Sequence, residues 1–272
     1  MKIKKPTWLG AAALSFALLA PSVQAHPLWM LPSEFNLSTE ESFWITVDAT
    51  AAHGVFTFDK PLGLDSVSIY KPNGDRQRMG PYFKGKRRSV FDLEIDTAGT
   101  YKVELSGQQR YVTTYEIGAR NTKRRIFANK QEAEVPEGAK NVKTTAVQTL
   151  SAFYVTQGAP SNKVLEATGK GFELHPLTHP SDVVAKENAR FKFTFDGEPL
   201  ANLDIEITPH GTAWRNSREQ MNLKTDKNGV VTFKPTVVGP HLLMTSMRKN
   251  VNSPLADAAG VNYHLTFEVL SQ

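Results

Sequence analysis

Apolar and polar residues alternate along most of this chain with a period of two. Phe43, Ile45 and Val47 fall on one side, and Trp44 and Thr46 on the other. Val67-Ser68-Ile69-Tyr70, Val90-Phe91-Asp92-Leu93-Glu94-Ile95 and Thr100-Tyr101-Lys102-Val103-Glu104-Leu105 follow the same rule. Each reads as a half-buried strand. The breaks between them are turn chemistry: Lys71-Pro72-Asn73-Gly74 and Asp96-Thr97-Ala98-Gly99. The pattern lapses over Asn121 to Lys143, which is polar and charged and holds Pro136 and Gly138. Thr145 to Tyr154 fits a strand or a short helix equally well.

Alternation resumes with Phe191, Phe193 and Phe195, and with Leu203, Ile205 and Ile207. Thr225-Asp226-Lys227-Asn228-Gly229 then links Leu223 to Val230-Val231-Thr232-Phe233 and predicts a hairpin. His241 to Met244 and Val261 to Leu270 close the series. The expectation is an all-β protein of two antiparallel β-sandwich domains, Ig-like or transthyretin-like, joined by a polar connecting segment. The divisions fall at 26–120, 121–165 and 166–272.

The first 25 residues have another grammar. Lys2, Lys4 and Lys5 precede an apolar run from Trp8 to Ala20, and Val23-Gln24-Ala25 has small residues where a signal peptidase reads. The run is shorter than the ~20 residues a membrane-spanning helix needs. The segment 1–25 is therefore expected to be a signal peptide cleaved after Ala25. That implies a periplasmic protein with no membrane insertion after cleavage. The chain has no cysteine, so neither a disulfide nor a cysteine-linked lipid is available.

Charge changes little. The formal net charge is +5 for all 272 residues. The signal holds three of the 32 Lys and Arg and none of the 27 Asp and Glu, which leaves about +2. A balance so near neutrality gives no reason to expect nucleic acid as a partner. The basic run Lys84-Gly85-Lys86-Arg87-Arg88 reads as a solvated loop, with a docking surface as the alternative. The chain lacks a G-x-S-x-G, a P-loop, a GxGxxG and a cysteine nucleophile, so no enzymatic activity is expected.

Candidate chemistry rests on histidine. Cleavage after Ala25 would give His26 a free α-amine beside its imidazole. The two nitrogens can chelate a divalent transition metal (Ni, Co or Cu), with one further His completing three nitrogens. The amine titrates near ~7.7–8, so its proton is readily displaced near neutral pH. Pro27 has no N–H, which excludes wrapping a metal in successive backbone nitrogens. His175 and His179 lie in Glu173-Leu174-His175-Pro176-Leu177-Thr178-His179-Pro180. In an extended segment they are ~13 Å apart at ~3.3 Å per residue, so one ion takes both only if the chain turns. His53, His210, His241 and His264 are isolated; each reads more readily as structural than as a ligand, although one of them could meet His26 in space.

The stretch His26-Pro27-Leu28-Trp29-Met30-Leu31-Pro32-Ser33 resembles the mature opening of NikM-like periplasmic proteins, which carry the domain-of-unknown-function family 4198. The resemblance continues in Phe58-Asp59-Lys60-Pro61-Leu62-Gly63-Leu64-Asp65, in Gly85 to Phe91 and in Leu174 to Pro180. Phe195-Asp196-Gly197-Glu198-Pro199-Leu200 with Thr225 to Gly229 is similar to transthyretin-like or carboxypeptidase-regulatory β-domains. The resemblance implies a part in nickel or cobalt uptake beside a membrane metal transporter or TonB-dependent receptor. It puts His26 and His179 on the family's pattern, whereas His175 stands at an apolar position. Two other functions share these residues. One is a non-catalytic adaptor docking such a transporter or receptor. The other is a copper monooxygenase with an N-terminal histidine brace.

Overall fold

The computed structural model describes residues 27–272. The expected signal peptide and His26 lie outside the described residues. Twenty strands and three short 3₁₀ turns make up the described chain. No helix among the described residues is long and apolar enough to cross a membrane.

The first strands are β1 (Leu28–Pro32), β2 (Asn36–Leu37), β3 (Phe43–Ala51), β4 (Lys60–Pro61), β5 (Val67–Tyr70), β6 (Arg76–Arg78), β7 (Phe83–Lys84), β8 (Ser89–Ile95) and β9 (Gly99–Ser106). Then come β10 (Arg110–Ile117), β11 (Thr122–Ile126), β12 (Lys140–Gln157), β13 (Phe172–Pro176), β14 (Ala189–Phe195), β15 (Glu198–Pro199) and β16 (Asp204–Pro209). The last are β17 (Met221–Lys224), β18 (Val230–Phe233), β19 (Gly239–Asn250) and β20 (Ala258–Val269).

These strands form three sheets. The outer N-terminal sheet runs β1-β3-β8-β7, with β4 on β3. The opposite outer sheet runs β13-β14-β15, with β18 on β14. A large sheet ordered β17-β16-β19-β20-β12-β9-β5-β6 lies between them and also takes β2, β10 and β11.

β12 organises the whole. It is 18 residues long. One edge pairs antiparallel with β10 and then with β9. The other runs parallel to β20, from Thr145↔Ala258 to Phe153↔Thr266, and then to β2. Its alternate residues serve two cores. Phe153 and Val155 join Met30, Ile45, Val47, Phe91 and Tyr101 under the N-terminal sheet. Leu150, Ala152 and Tyr154 join Phe191, Phe193, Phe267 and Ile207 under the C-terminal sheet. The C-terminal half of β12 is thus buried on both faces by these layers.

The predicted all-β class is observed, with sandwich-like sheets. Residues 121–165, expected as a connecting segment, contain β11 and β12, so this stretch holds the strand shared by both cores. Thr145 to Tyr154 is strand throughout.

The turn at 225–229 differs from expectation. β17 pairs with β16 in the central sheet, and β18 pairs with β14 in the outer one. The turn therefore arches from one layer to the other and does not close a hairpin. Asp226 shapes it by accepting from the backbone N–H groups of Asn228 (2.8 Å) and Val230 (2.9 Å). Gly229 has φ +75°, and a Cβ there would lie 2.5 Å from the Phe193 carbonyl oxygen. Gly229→Ala is expected to combine left-handed strain with overpacking and cost roughly 2–4 kcal/mol. The check is a urea unfolding curve whose midpoint falls with unchanged slope.

Candidate functional site at the chain start

β1 enters the fold against β3 in the register Leu28↔Ala51 to Pro32↔Val47. The ladder extends one step further, because Ala52 N–H donates to the Pro27 carbonyl at 3.1 Å. The first described residue is thereby fixed beside the loop that begins at Ala52. That loop is closed by Asp59, whose Oδ2 accepts from the His53 backbone N–H (2.8 Å) and from the His53 Nδ1 (3.1 Å). A carboxylate only accepts, so Nδ1 carries the proton and Nε2 the lone pair. The hydrogen bonds from His53, backbone first and ring second, hold the Asp59 carboxyl below its ordinary range.

Buried Thr50 pins the surroundings. Its Oγ1 is 2.8 Å from the Lys60 carbonyl and 2.9 Å from the Arg87 carbonyl. The basic run seen in the sequence is brought to this end of the sheet. Arg87 stands 3.8 Å from Asp59, and Arg88 pairs with Asp48 at 3.1 Å. The His53 side chain is 79% exposed within this rim.

His179 sits elsewhere. It caps the 3₁₀ turn Pro180–Asp182, and its Nδ1 accepts from Ser181 N–H at 3.2 Å. Nε2 therefore carries the proton and lies 3.3 Å from the Ser161 carbonyl and 3.2 Å from Thr100 Oγ1. Both ring nitrogens are engaged, and burial lowers the pKa. Thr100 in turn is 3.0 Å from Thr156 near the end of β12. Pro27 lines a cleft that also takes in Val147 and Thr149 of β12. Seven residues separate Thr149 from Thr156, on the order of 20 Å of strand. His179 thus lies toward the opposite end of β12 from Pro27.

His175, on β13, places Nε2 3.0 Å from Thr194 Oγ1 and 3.7 Å from Glu173. Glu173 accepts from the backbone N–H groups of Thr168 (2.7 Å) and Gly169 (2.8 Å). Together they fasten the 165–169 stretch against sheet residues, around a small cleft of about 360 Å³. The structure gives His175 and His179 separate sets of partners. Among the described residues, no three His, Asp or Glu side chains gather closely enough to share a metal ion.

The larger cleft measures about 1050 Å³. Pro27, Leu28 and Leu62 line it with Met244, Asn262 and His264 of the central sheet. His264 is 8% exposed, and its Nδ1 donates to the Leu150 carbonyl at 3.3 Å. Sequence reasoning set His53 and His264 aside as isolated residues. Only the β1–β3 register brings His53 beside Pro27, and only the β12–β20 ladder places His264 in the cleft.

No curated protein matches this chain. Several solved structures show a remote likeness. The Escherichia coli adhesin FdeC is 15% identical, with 88% of this chain and 65% of that one covered and a TM-score of 0.21. The D0-D1 domain of Intimin is 16% identical, covering 88% and 96%, at 0.20. A DUF3823 family protein from Bacteroides uniformis is 10% identical, covering 92% and 100%, at 0.23. Scores this low carry no argument about this chain. The sequence profile of one family matches residues 23–249, most of the chain, and the protein belongs to that family, described as a domain of unknown function (DUF4198).

Proposed function

We propose that the mature protein is a periplasmic metal-binding or metal-delivery protein of the NikM-like kind, working beside a membrane metal transporter or TonB-dependent receptor. Its site is built on the new N-terminus: the amine and imidazole of His26, completed by Nε2 of His53. The supporting observation is the hydrogen bond from Ala52 to Pro27, which brings the chain start to the loop carrying His53. Asp59 strengthens this reading. A carboxylate that accepts from the far nitrogen of a ligating imidazole orients the ring and fixes its tautomer. Three nitrogen donors suit Cu, Ni or Zn, and Co less tightly.

The test uses protein that begins at His26, titrated calorimetrically with Ni, Co, Cu and Zn. A Gly-Pro pair added ahead of His26, whose proline offers no backbone N–H to a metal, is expected to weaken binding at least tenfold, and His53→Ala likewise. Asp59→Asn should cost about tenfold, the lower end for an orienting carboxylate. His179→Ala should bind as the parent does. Affinity unchanged by both the extension and His53→Ala would end this assignment.

A further inference from the structure

The 1050 Å³ cleft holds a second pair of donors, remote in sequence and joined by the ladder. Met244 of β19 and His264 of β20 are direct cross-strand partners, and both line the cleft. Opposed residues on one face of an antiparallel pair hold their Cβ atoms ~4.5–5.5 Å apart, so a thioether and an imidazole there can reach a common point. The His264 ring is set for ligation. Its Nδ1 proton is committed to the Leu150 carbonyl, which leaves the lone pair on Nε2. Nε2 makes no hydrogen bond to the described residues, although the side chain is more than nine-tenths buried.

Met244 is only half-buried, at the border of the apolar group of Trp29, Val55 and Leu242, and lines the cleft. The two carboxylates in the same wall are paired. Asp204 pairs with Lys224 at 2.6 Å and Glu206 with Arg218 at 2.8 Å. One soft sulfur and one neutral nitrogen remain, beside the uncharged Asn222, Thr245, Ser246 and Asn262. Thioether with imidazole selects a soft monovalent ion over a hard divalent one.

We infer that Met244 and His264 form a binding site for Cu(I), with Ag(I) as its redox-silent equivalent. This site is separate from the one proposed at the chain start and needs no N-terminal amine. The step is simple coordination of an ion supplied as Cu(I), without electron transfer.

The experiment uses mature protein carrying an extra N-terminal Gly-Pro pair, which disables the amine chelate because proline has no backbone N–H. Failure here is thus distinguishable from failure of the chain-start site. Cu(I) is titrated anaerobically against a chromophoric Cu(I) chelator, and Ag(I) in parallel by calorimetry. One equivalent is expected to bind. Met244→Leu, close in volume, and His264→Gln should each weaken Cu(I) at least tenfold, with circular dichroism unchanged for Met244→Leu. X-ray absorption of the copper-loaded parent should show one sulfur neighbour, lost in Met244→Leu. A parent that yields all its copper to the chelator overturns the site. So does a Met244→Leu protein that holds copper, sulfur neighbour included, as the parent does.

Discussion

Acidification of metal-free protein from pH 7 to pH 4.5 is expected to remove about 5 kcal/mol of stability through two buried histidines. His241 is 1% exposed and His264 8% exposed. Burial is the leading cause in both, and it brings each pKa down to about 4. In the unfolded chain both titrate near ~6.5. Between these values the unfolded state binds protons that the folded state refuses, so unfolding gains as pH falls. Their contribution is intact above pH 6.5 and declines toward pH 4. At pH 4.5 the loss is about 2.5 kcal/mol for each imidazole.

His241 donates from Nδ1 to the Gly239 carbonyl (2.9 Å) and packs on Phe267. His210 and Arg215 add repulsion to its charged form. His175 and His179 are lowered by burial too and act with the same sign. Asp96, held near 2 first by its hydrogen bond from Lys71, stays ionised throughout this range. Urea midpoints at pH 7, 6, 5 and 4.5 measure the effect. A flat profile would mean that these imidazoles are not buried as described.

Phe191→Ala should cost about 3–5 kcal/mol, the range for emptying a fully buried aromatic site. Phe191 is 0% exposed and meets Phe233 and Phe267 edge-on, with ring centres 5.1 and 5.8 Å away. The more telling expectation concerns the other core. Trp29 and Trp44 belong to the N-terminal sheet, whereas Trp214 is 87% exposed in the 3₁₀ turn Thr212–Trp214. Tryptophan fluorescence on unfolding therefore reports chiefly on the layer that Phe191 does not touch. β12 supplies Phe153 to one core and Tyr154 to the other. Losing it strips both, so one cooperative transition is expected. Fluorescence and circular dichroism midpoints should move together. A fluorescence midpoint that stays at the parent value would show an N-terminal unit that folds alone.

The sequence by itself determined most strands and several turns, because side chains alternate across a strand whatever it pairs with. Ile45, Val47, Phe91, Leu93, Phe191, Phe193, Ile205 and Ile207 all bury on the face their alternation assigns. It also determined that histidine is the main candidate donor in a chain without cysteine. Where both faces of a strand are buried, alternation vanishes, and Thr145 to Tyr154 could not be told from a helix. Tertiary structure decided that this segment is the shared strand.

It also decided that the Asp226 turn crosses between layers. Turn chemistry specifies a reversal but not which sheet receives the next strand. The histidines follow the same logic. His175 and His179 are near in sequence, yet each is taken up by local partners. His53 comes beside Pro27, and His264 faces Met244, through ladder registers that no local pattern encodes. Period and turn type are properties of a few adjacent residues. Which donors meet is set by pairings that span from about twenty to more than a hundred residues and are fixed only when the layers close on their cores.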